Sequence, residues 1–199
     1  MRVRGMAAVA MLGVCSAMAG AQMAGMQMPG NKPMMATGSP AKAMDDLLNL
    51  YEHEAMGVVK AMPADKYNFA PGTAIFAAPQ EEKFNGVRTF VQEVTHVAEA
   101  NYYFYSSLSG LKPDVDMSTI ESITNKDDAV AMLAKSFAFG HKAIATITAE
   151  NAFETIKGAD GMNTRATLAA FGVAHGYDHY GQMVEYLRMN GIVPPASAK

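Results

Sequence analysis

The sequence predicts an all-α fold, an up-down four-helix bundle. Four long segments carry apolar residues at intervals of three and four, which is the spacing of one face of an α-helix. Proline and glycine separate these segments, and no stretch shows the strict alternation expected of a half-buried strand. A chain of 199 residues is long enough for one domain of ordinary size. We therefore expect a single helical domain over residues 41–195.

Residues 1–21 are predicted to form a secretory signal peptide. A short basic start precedes the apolar run 6–19, and small-x-small triplets typical of cleavage sites end at Ala19 and Ala21. A membrane anchor is the alternative, but the run is shorter than the ~20 residues that span a bilayer. A lipoprotein signal at Cys15 is disfavoured by the bulky Val14 before it. We expect an exported protein, periplasmic or secreted, with no stable membrane anchor after cleavage.

Composition narrows the chemistry of the mature chain. Its only cysteine lies within the predicted signal, so any metal ligands would be nitrogen or oxygen atoms. The formal net charge of −3 becomes two units more negative when Arg2 and Arg4 are removed with the signal. No cluster of basic residues is present to attract a phosphate backbone, so we expect no nucleic-acid partner.

Residues 22–40 are predicted to be a disordered linker rich in methionine, glycine and proline. The prolines argue against a helix there. Thioether sulfur selects Cu(I), so Met26-Gln27-Met28 could capture copper outside the cell. Compositional drift in an unstructured leader is the simpler explanation of the same methionines, and we do not count them among the predicted metal ligands.

The first predicted helix covers about residues 40–62. Ser39 is suited to the N-cap, Pro40 to the first helical position, and Pro63 stops the helix. Its apolar stripe consists of Met44, Leu47, Leu48, Tyr51, Ala55, Val58 and Met62. Residues 63–83, which contain three prolines, are predicted to form an ordered loop at the end of the bundle.

The second predicted helix covers about residues 84–109 and ends at Gly110. Its mostly apolar stripe consists of Val87, Phe90, Val91, Val94, Val97, Asn101, Phe104, Tyr105 and Leu108, and His96 lies beside it. The third is expected over 126–150, with Asp127 and Asp128 placed favourably at its N-terminus. The fourth runs from Thr164 to Asn190, before Gly191 and two prolines.

The inward stripe of the fourth helix changes from apolar to polar halfway along. It consists of Leu168, Phe171, His175, His179, Gln182 and Tyr186. Buried polar groups cost a few kcal/mol each without partners, so this change needs an explanation. His175 and His179 lie four residues apart on one helical face, and neutral imidazole is the commonest metal ligand. The pair predicts half of a metal site, although hydroxyls or carboxylates could also satisfy both rings without metal.

A catalytic site of the zinc type needs about three protein ligands and an open position. The remaining histidines are His53, His96 and His141, and spacing alone does not choose among them. His53 lies off the apolar face of its helix and is expected at the surface. His141 is nearer the inner stripe of its helix. Its possible roles are those of a core histidine, of a hydrogen-bond partner of the ligands, and of a fourth ligand.

Several segments resemble the DinB-like family, four-helix bundles related to metal-dependent thiol transferases. The resemblance covers essentially residues 41–195 and rests on segments 61–67, 95–101, 175–182 and 186–195, of which the last two are the most specific. In that family one ligand comes from the second helix and two come from the fourth at HxxxH spacing. The resemblance therefore implies a three-histidine metal site made of His96, His175 and His179.

The resemblance implies one divalent transition metal, such as zinc, nickel or iron, with coordination positions open to water or a substrate thiol. The expected activity is that of a metal-dependent transferase or hydrolase acting on a small molecule. A non-catalytic metal- or ligand-binding bundle and a structural bundle with a metal-free polar layer are the alternatives. Pairing of two copies through an exposed helix face also stays open.

Four side chains near the predicted ligands are candidates for hydrogen bonds to them or for proton handling. They are Glu99, Tyr102, Asp178 and Gln182. Each has an ordinary alternative as a solvated or packing residue. Asp178 directly precedes His179 in the sequence and points about 100° away from it around the helix. We therefore expect the Asp178 side chain not to touch the His179 ring.

Overall fold

The computed structural model describes residues 38–75 and 83–198. The predicted signal peptide, and the predicted linker as far as residue 37, lie outside these ranges. The described chain contains four long helices, so the all-α class is confirmed. They are α1 (Pro40–Ala61), α2 (Phe90–Ser109), α3 (Lys126–Ile144) and α4 (Arg165–Met189). None of the described helices is long and apolar enough to cross a membrane.

The helix ends follow from local hydrogen bonding. The side chain of Ser39 accepts a hydrogen bond from the Lys42 amide, and Pro40 occupies the first turn of α1, both as predicted. A reciprocal capping box between Thr89 and Gln92 starts α2. Gly110 ends α2 at a φ of 76°, a conformation that suits glycine.

Two predicted helices are too long. The second begins at Phe90 rather than at residue 84, because the Thr89 cap and two amides bonded to the preceding loop fix its start. The third ends at Ile144 rather than at residue 150. Beyond it, Asn151 bonds to the Thr148 amide at 2.8 Å and to the Thr146 carbonyl at 3.0 Å, which closes a polar turn.

A short antiparallel hairpin lies between α3 and α4, and the expectation that the chain lacks strands is wrong there. Its strands are β1 (Thr155–Ala159) and β2 (Met162–Thr164), with Ala159 opposite Met162. Asp160 and Gly161 form the turn at φ values of 48° and 80°. Asp-Gly is a favoured pair for such tight turns, and the sequence carried this signal.

The helices are not joined as simple consecutive neighbours. α1 and α2 each pack mainly on α3 and α4. Asn101 bonds to Ser136 at 3.0 Å, and one turn further along both helices Tyr105 packs against Gly140. This matching progression means that α2 and α3 run parallel. The predicted up-down order is therefore not confirmed.

The connection between α2 and α3 explains the parallel pair. Residues 110–125 run back along α2, with Asp114 accepting a hydrogen bond from the Tyr102 hydroxyl at 3.1 Å. Further on, Glu121 lies by the beginning of α2, where it lines a pocket with Arg88 and Gln92. The chain thus returns along a helix about 30 Å long before α3 begins.

Glycines on α4 allow two core tyrosines to approach its backbone. A Cβ atom at Gly176 would lie 2.3 Å from Cζ of Tyr51, and one at Gly172 would lie 3.1 Å from the Tyr105 hydroxyl oxygen. Tyr51 also packs edge-on against Phe137 of α3, with 5.4 Å between ring centroids. Tyr51 therefore joins α1, α3 and α4 in the core, and it fits only because residue 176 lacks a side chain.

We expect Gly176→Ala to lower the free energy of unfolding by about 1–3 kcal/mol, because the added methyl group overlaps the Tyr51 ring. Gly181→Ala on the same helix is the matched control, since nothing lies within 4 Å of its Cβ position. Because alanine loses less backbone entropy than glycine when the helix forms, this control should be about 0.5–1 kcal/mol more stable than wild type. Urea unfolding measures both, and equal shifts for the two variants would contradict the packing described here.

Candidate metal centre

Three histidines from two helices form one cluster. α2 supplies His96, and α4 supplies His175 and His179 one turn apart. One nitrogen from each ring lies within 4.8 Å of the other two. The ring centroid of His96 lies 5.4 Å from that of His175 and 4.6 Å from that of His179. The structure thus brings together the three histidines that the family resemblance selected.

A buried carboxylate orients one of these rings. Nδ1 of His179 lies 2.7 Å from Oε2 of Glu93, and both side chains are almost completely buried. Because an ionised carboxylate only accepts, the imidazole donates its Nδ1 proton and keeps its lone pair on Nε2. Such carboxylate–histidine pairs commonly orient metal ligands and raise their basicity.

One ring nitrogen of His175 lacks a hydrogen-bond partner. Nε2 of His175 is buried and has no hydrogen-bond partner within the described part of the chain; the hydroxyls of Tyr51, Tyr105 and Ser106 are also buried without a partner there, but only Nε2 belongs to a histidine of the cluster. Buried nitrogen atoms rarely lack partners, so this atom calls for a ligand that the protein itself does not provide. A transition-metal ion held by the three imidazoles would be such a ligand.

The electrostatic surroundings keep two of the rings neutral. Burial, with smaller repulsion from Arg88 and the neighbouring histidines, lowers the pKa of His96 to about 4. Burial also lowers the pKa of His175. Neutral imidazoles have lone pairs available for a metal without first losing a proton. On donor type, spacing and protonation, the cluster fits a divalent ion such as zinc, nickel or iron.

Glu93 is the residue that sequence reasoning missed. It lies on α2 one turn before His96, between the apolar residues Val91 and Val94. An acid that interrupts a buried stripe one turn from a predicted ligand was the available signal.

The side chains nominated from sequence lie in different surroundings. Glu99 is partly buried beside His96, and the hydroxyl of Tyr102 donates to Asp114 rather than to a histidine. Nε2 of Gln182 lies 3.5 Å from Nδ1 of His179 and 3.3 Å from the Asp178 carboxylate. Asp178 is exposed and shares no hydrogen bond with His179. Their chemical roles remain predictions.

A cavity of about 550 Å³ reaches two of the three histidines. Its walls are mainly apolar and include the aromatic rings of Tyr102, Tyr103 and Phe104, while His96 and His175 line it as well. Asp160, from the hairpin turn, also lines this cavity. The volume is in the range of small-molecule sites, so a compact organic ligand could reach the cluster.

Comparison with known families agrees with this arrangement. The family model described as the DinB superfamily matches residues 47–183. The chain belongs to the DinB superfamily. The match includes all three histidines of the cluster and Glu93. No curated protein matches the chain significantly.

The other two histidines lie away from the cluster. His53 is exposed on α1. On α3, His141 places Nδ1 2.5 Å from Asp45 and Nε2 2.9 Å from Glu52, both on α1. Since both ring nitrogens of His141 face these carboxylates, it is not the fourth ligand that the sequence left open.

We expect Glu93→Gln to weaken metal affinity by about ten- to a hundred-fold, because the amide does not provide the negative charge that strengthens His179 as a ligand. Glu99→Gln is the matched control, since Glu99 lies on the same helix without a hydrogen bond to a histidine of the cluster. Competition with a chromogenic chelator measures the affinities. Equal affinity in wild type and Glu93→Gln would show that the pair does not support metal binding.

The His141 contacts predict a pH-dependent contribution to stability. Burial lowers the pKa of His141, but the hydrogen bonds and charges of Asp45 and Glu52 outweigh burial and raise it overall. The folded state therefore favours the protonated ring, and its stabilisation is present below the unfolded pKa of about 6.5. It is lost as pH rises through the higher folded-state pKa.

His141→Gln should therefore cost more free energy of unfolding at pH 5.5 than at pH 9. His53→Gln is the control, because His53 is exposed and forms no ion pair within the described residues. Urea unfolding of the two variants and wild type at both pH values gives the comparison. A cost for His141→Gln that does not change with pH would contradict the charged bridge.

Proposed function

We propose that this protein is an exported metal-dependent enzyme that acts on a small molecule. One divalent ion is held by His96, His175 and His179, and the activity is transfer or hydrolysis. The observation that supports this best is the buried, unpartnered Nε2 of His175 beside a cavity large enough for a substrate. A merely structural polar layer would be expected to satisfy that atom internally.

Each residue has a defined part in the proposed site. A divalent ion held by three imidazoles would supply Lewis acidity and would leave coordination positions open. Glu93 fixes the ring of His179. We assign to the carboxylate of Glu99, which lines the cavity beside His96, the acceptance of a proton from the attacking nucleophile. The apolar wall of the cavity would contact the body of the substrate.

Export bears on the choice of nucleophile. The family's thiol transferases use thiols of the cytosol, and such thiols are scarce in oxidising compartments. The predicted signal peptide supports a location of the mature protein outside the cytosol. We therefore favour hydrolysis with water as the nucleophile over transfer to a low-molecular-weight thiol. A metal-binding bundle without turnover is the alternative that the same ligands would serve.

Metal-loaded protein should turn over members of a panel of activated esters and other small electrophiles. His175→Ala should abolish both metal binding and turnover. Glu99→Gln should keep the metal but lose about a hundred-fold or more in rate, which is the usual contribution of a general base. Elemental analysis and initial rates on the same samples measure both. Turnover that persists in His175→Ala would contradict the enzyme proposal.

Chelation tests the structural alternative directly. A bound metal stabilises the native state by mass action, so removing it should lower the melting temperature of wild type and leave His175→Ala unchanged. Differential scanning fluorimetry with and without chelator makes this comparison. A wild-type melting temperature that chelation does not change would favour a metal-free polar layer.

A further inference from the structure

A second pocket lies against the same histidine as the aromatic cavity. It has a volume of about 480 Å³ and shares His96 and Glu99 with that cavity. The rest of its lining is largely polar and includes Arg88, Gln92 and Glu121. We call it the Arg88 pocket. A ligand that extends over His96 could thus place an apolar part in one cavity and a polar part in the other.

Arg88 is the one cationic side chain among the residues that line this pocket, whose two glutamates, Glu99 and Glu121, likewise form no ion pair with a described residue. Its side chain is partly buried, and its guanidinium forms no hydrogen bond or ion pair with any residue in the described ranges. Removing a cation from water costs free energy unless a counter-charge replaces the lost hydration. A guanidinium has five donors in a planar fork that suits carboxylate, sulfonate or phosphate groups.

The backbone holds Arg88 in a defined position. Its carbonyl accepts a hydrogen bond from the Tyr186 hydroxyl of α4 at 3.0 Å. The next residue, Thr89, is fixed by the capping box that begins α2. The side chain therefore extends from an anchored point at the junction of α2 and α4, the two helices that carry the histidines. A cation on an anchored backbone loses less entropy when it binds an anion than one on a mobile loop.

We propose that Arg88 binds the anionic group of the substrate, whose apolar body lies in the aromatic cavity beside His96. The substrate class is then an amphipathic organic anion carrying a carboxylate, sulfonate or phosphate. This assignment rests on the proposed function only in naming the ligand a substrate. Binding through Arg88 does not itself require turnover or metal.

The acidic residues limit how much negative charge the ligand can carry. Glu99 and Glu121 line the Arg88 pocket, and Asp160 lines the aromatic cavity. A second anionic group would meet one of these carboxylates and be repelled. A hydroxyl or ammonium group near the anion would instead find acceptors there. The lining therefore favours a single anionic group on an otherwise apolar or neutral molecule.

Two dyes with the same rings separate the contribution of the anion. 8-Anilinonaphthalene-1-sulfonate carries one sulfonate, and N-phenyl-1-naphthylamine has the same aromatic body without it. Fluorescence titration of both dyes would use wild type, Arg88→Gln and Arg188→Gln, each with metal and after chelation. Arg188→Gln is the matched control, because this substitution removes the same charge from an exposed position. Near-ultraviolet circular dichroism checks that each variant is folded.

Arg88→Gln should weaken sulfonate-dye binding by about ten-fold, as expected for loss of a charged hydrogen bond, and change binding of the neutral dye less than about two-fold. Arg188→Gln should change neither. Unchanged sulfonate-dye affinity in Arg88→Gln, or an equal loss for both dyes, would overturn the assignment. A selective loss of sulfonate-dye binding by Arg88→Gln in chelated protein would support the Arg88 assignment. If the wild-type protein at the same time bound no metal or showed no turnover, the proposed enzyme would be refuted and the Arg88 assignment retained.

Discussion

The buried hydrogen bond between Glu93 and His179 is the interaction on which the candidate site depends. It joins α2 to α4 at 2.7 Å, and both groups are almost completely buried. A carboxylate removed from water costs several kcal/mol unless a partner compensates it. The helices must therefore pack in the register that keeps this pair together. That register also places His96, one turn after Glu93, beside the two histidines of α4.

Outside the cluster, the buried side chains of α2 and α4 are mainly apolar. Above and below the cluster, α2 and α4 meet through apolar contacts, such as Phe104 against Phe171 at 5.3 Å between ring centroids. Within the cluster, Glu93 satisfies His179, whereas Nε2 of His175 has no partner among the described residues. In this polar layer, His179 thus has a hydrogen-bond partner from the protein, whereas Nε2 of His175 has none among the described residues. This asymmetry is what a binding site requires and what a purely structural layer would avoid.

Access to the cluster follows from the order of the helices. Because α2 and α3 run parallel, the connection between them must return along the bundle, and it covers part of α2 near the histidines. Pro113 and Met117 of this connection line the aromatic cavity, and Glu121 lines the Arg88 pocket. Asp160, at the tip of the hairpin, lines the aromatic cavity as well. Long connections therefore supply walls that the four helices alone would not provide.

Sequence periodicity and helix signals predicted the four helices, and the HxxxH pair with the family motif selected the three histidines. The parallel order of α2 and α3 was not predicted, because apolar stripes do not record which neighbour a helix packs against. The hairpin was missed since strands of five and three residues show little alternation, although Asp160-Gly161 marked its turn. Glu93 was missed because burial of an acid becomes reasonable only when its partner from another helix is known.

The measurement that tests this account most directly is the metal content of purified protein by elemental analysis. It should be made without chelator or affinity-tag histidines, alongside His96→Ala and the His175→Ala/His179→Ala double variant. The account predicts about one equivalent of a divalent transition metal in wild type and loss of that metal in both variants. Folded wild-type protein that holds no metal, even after incubation with zinc, nickel and iron, would contradict it.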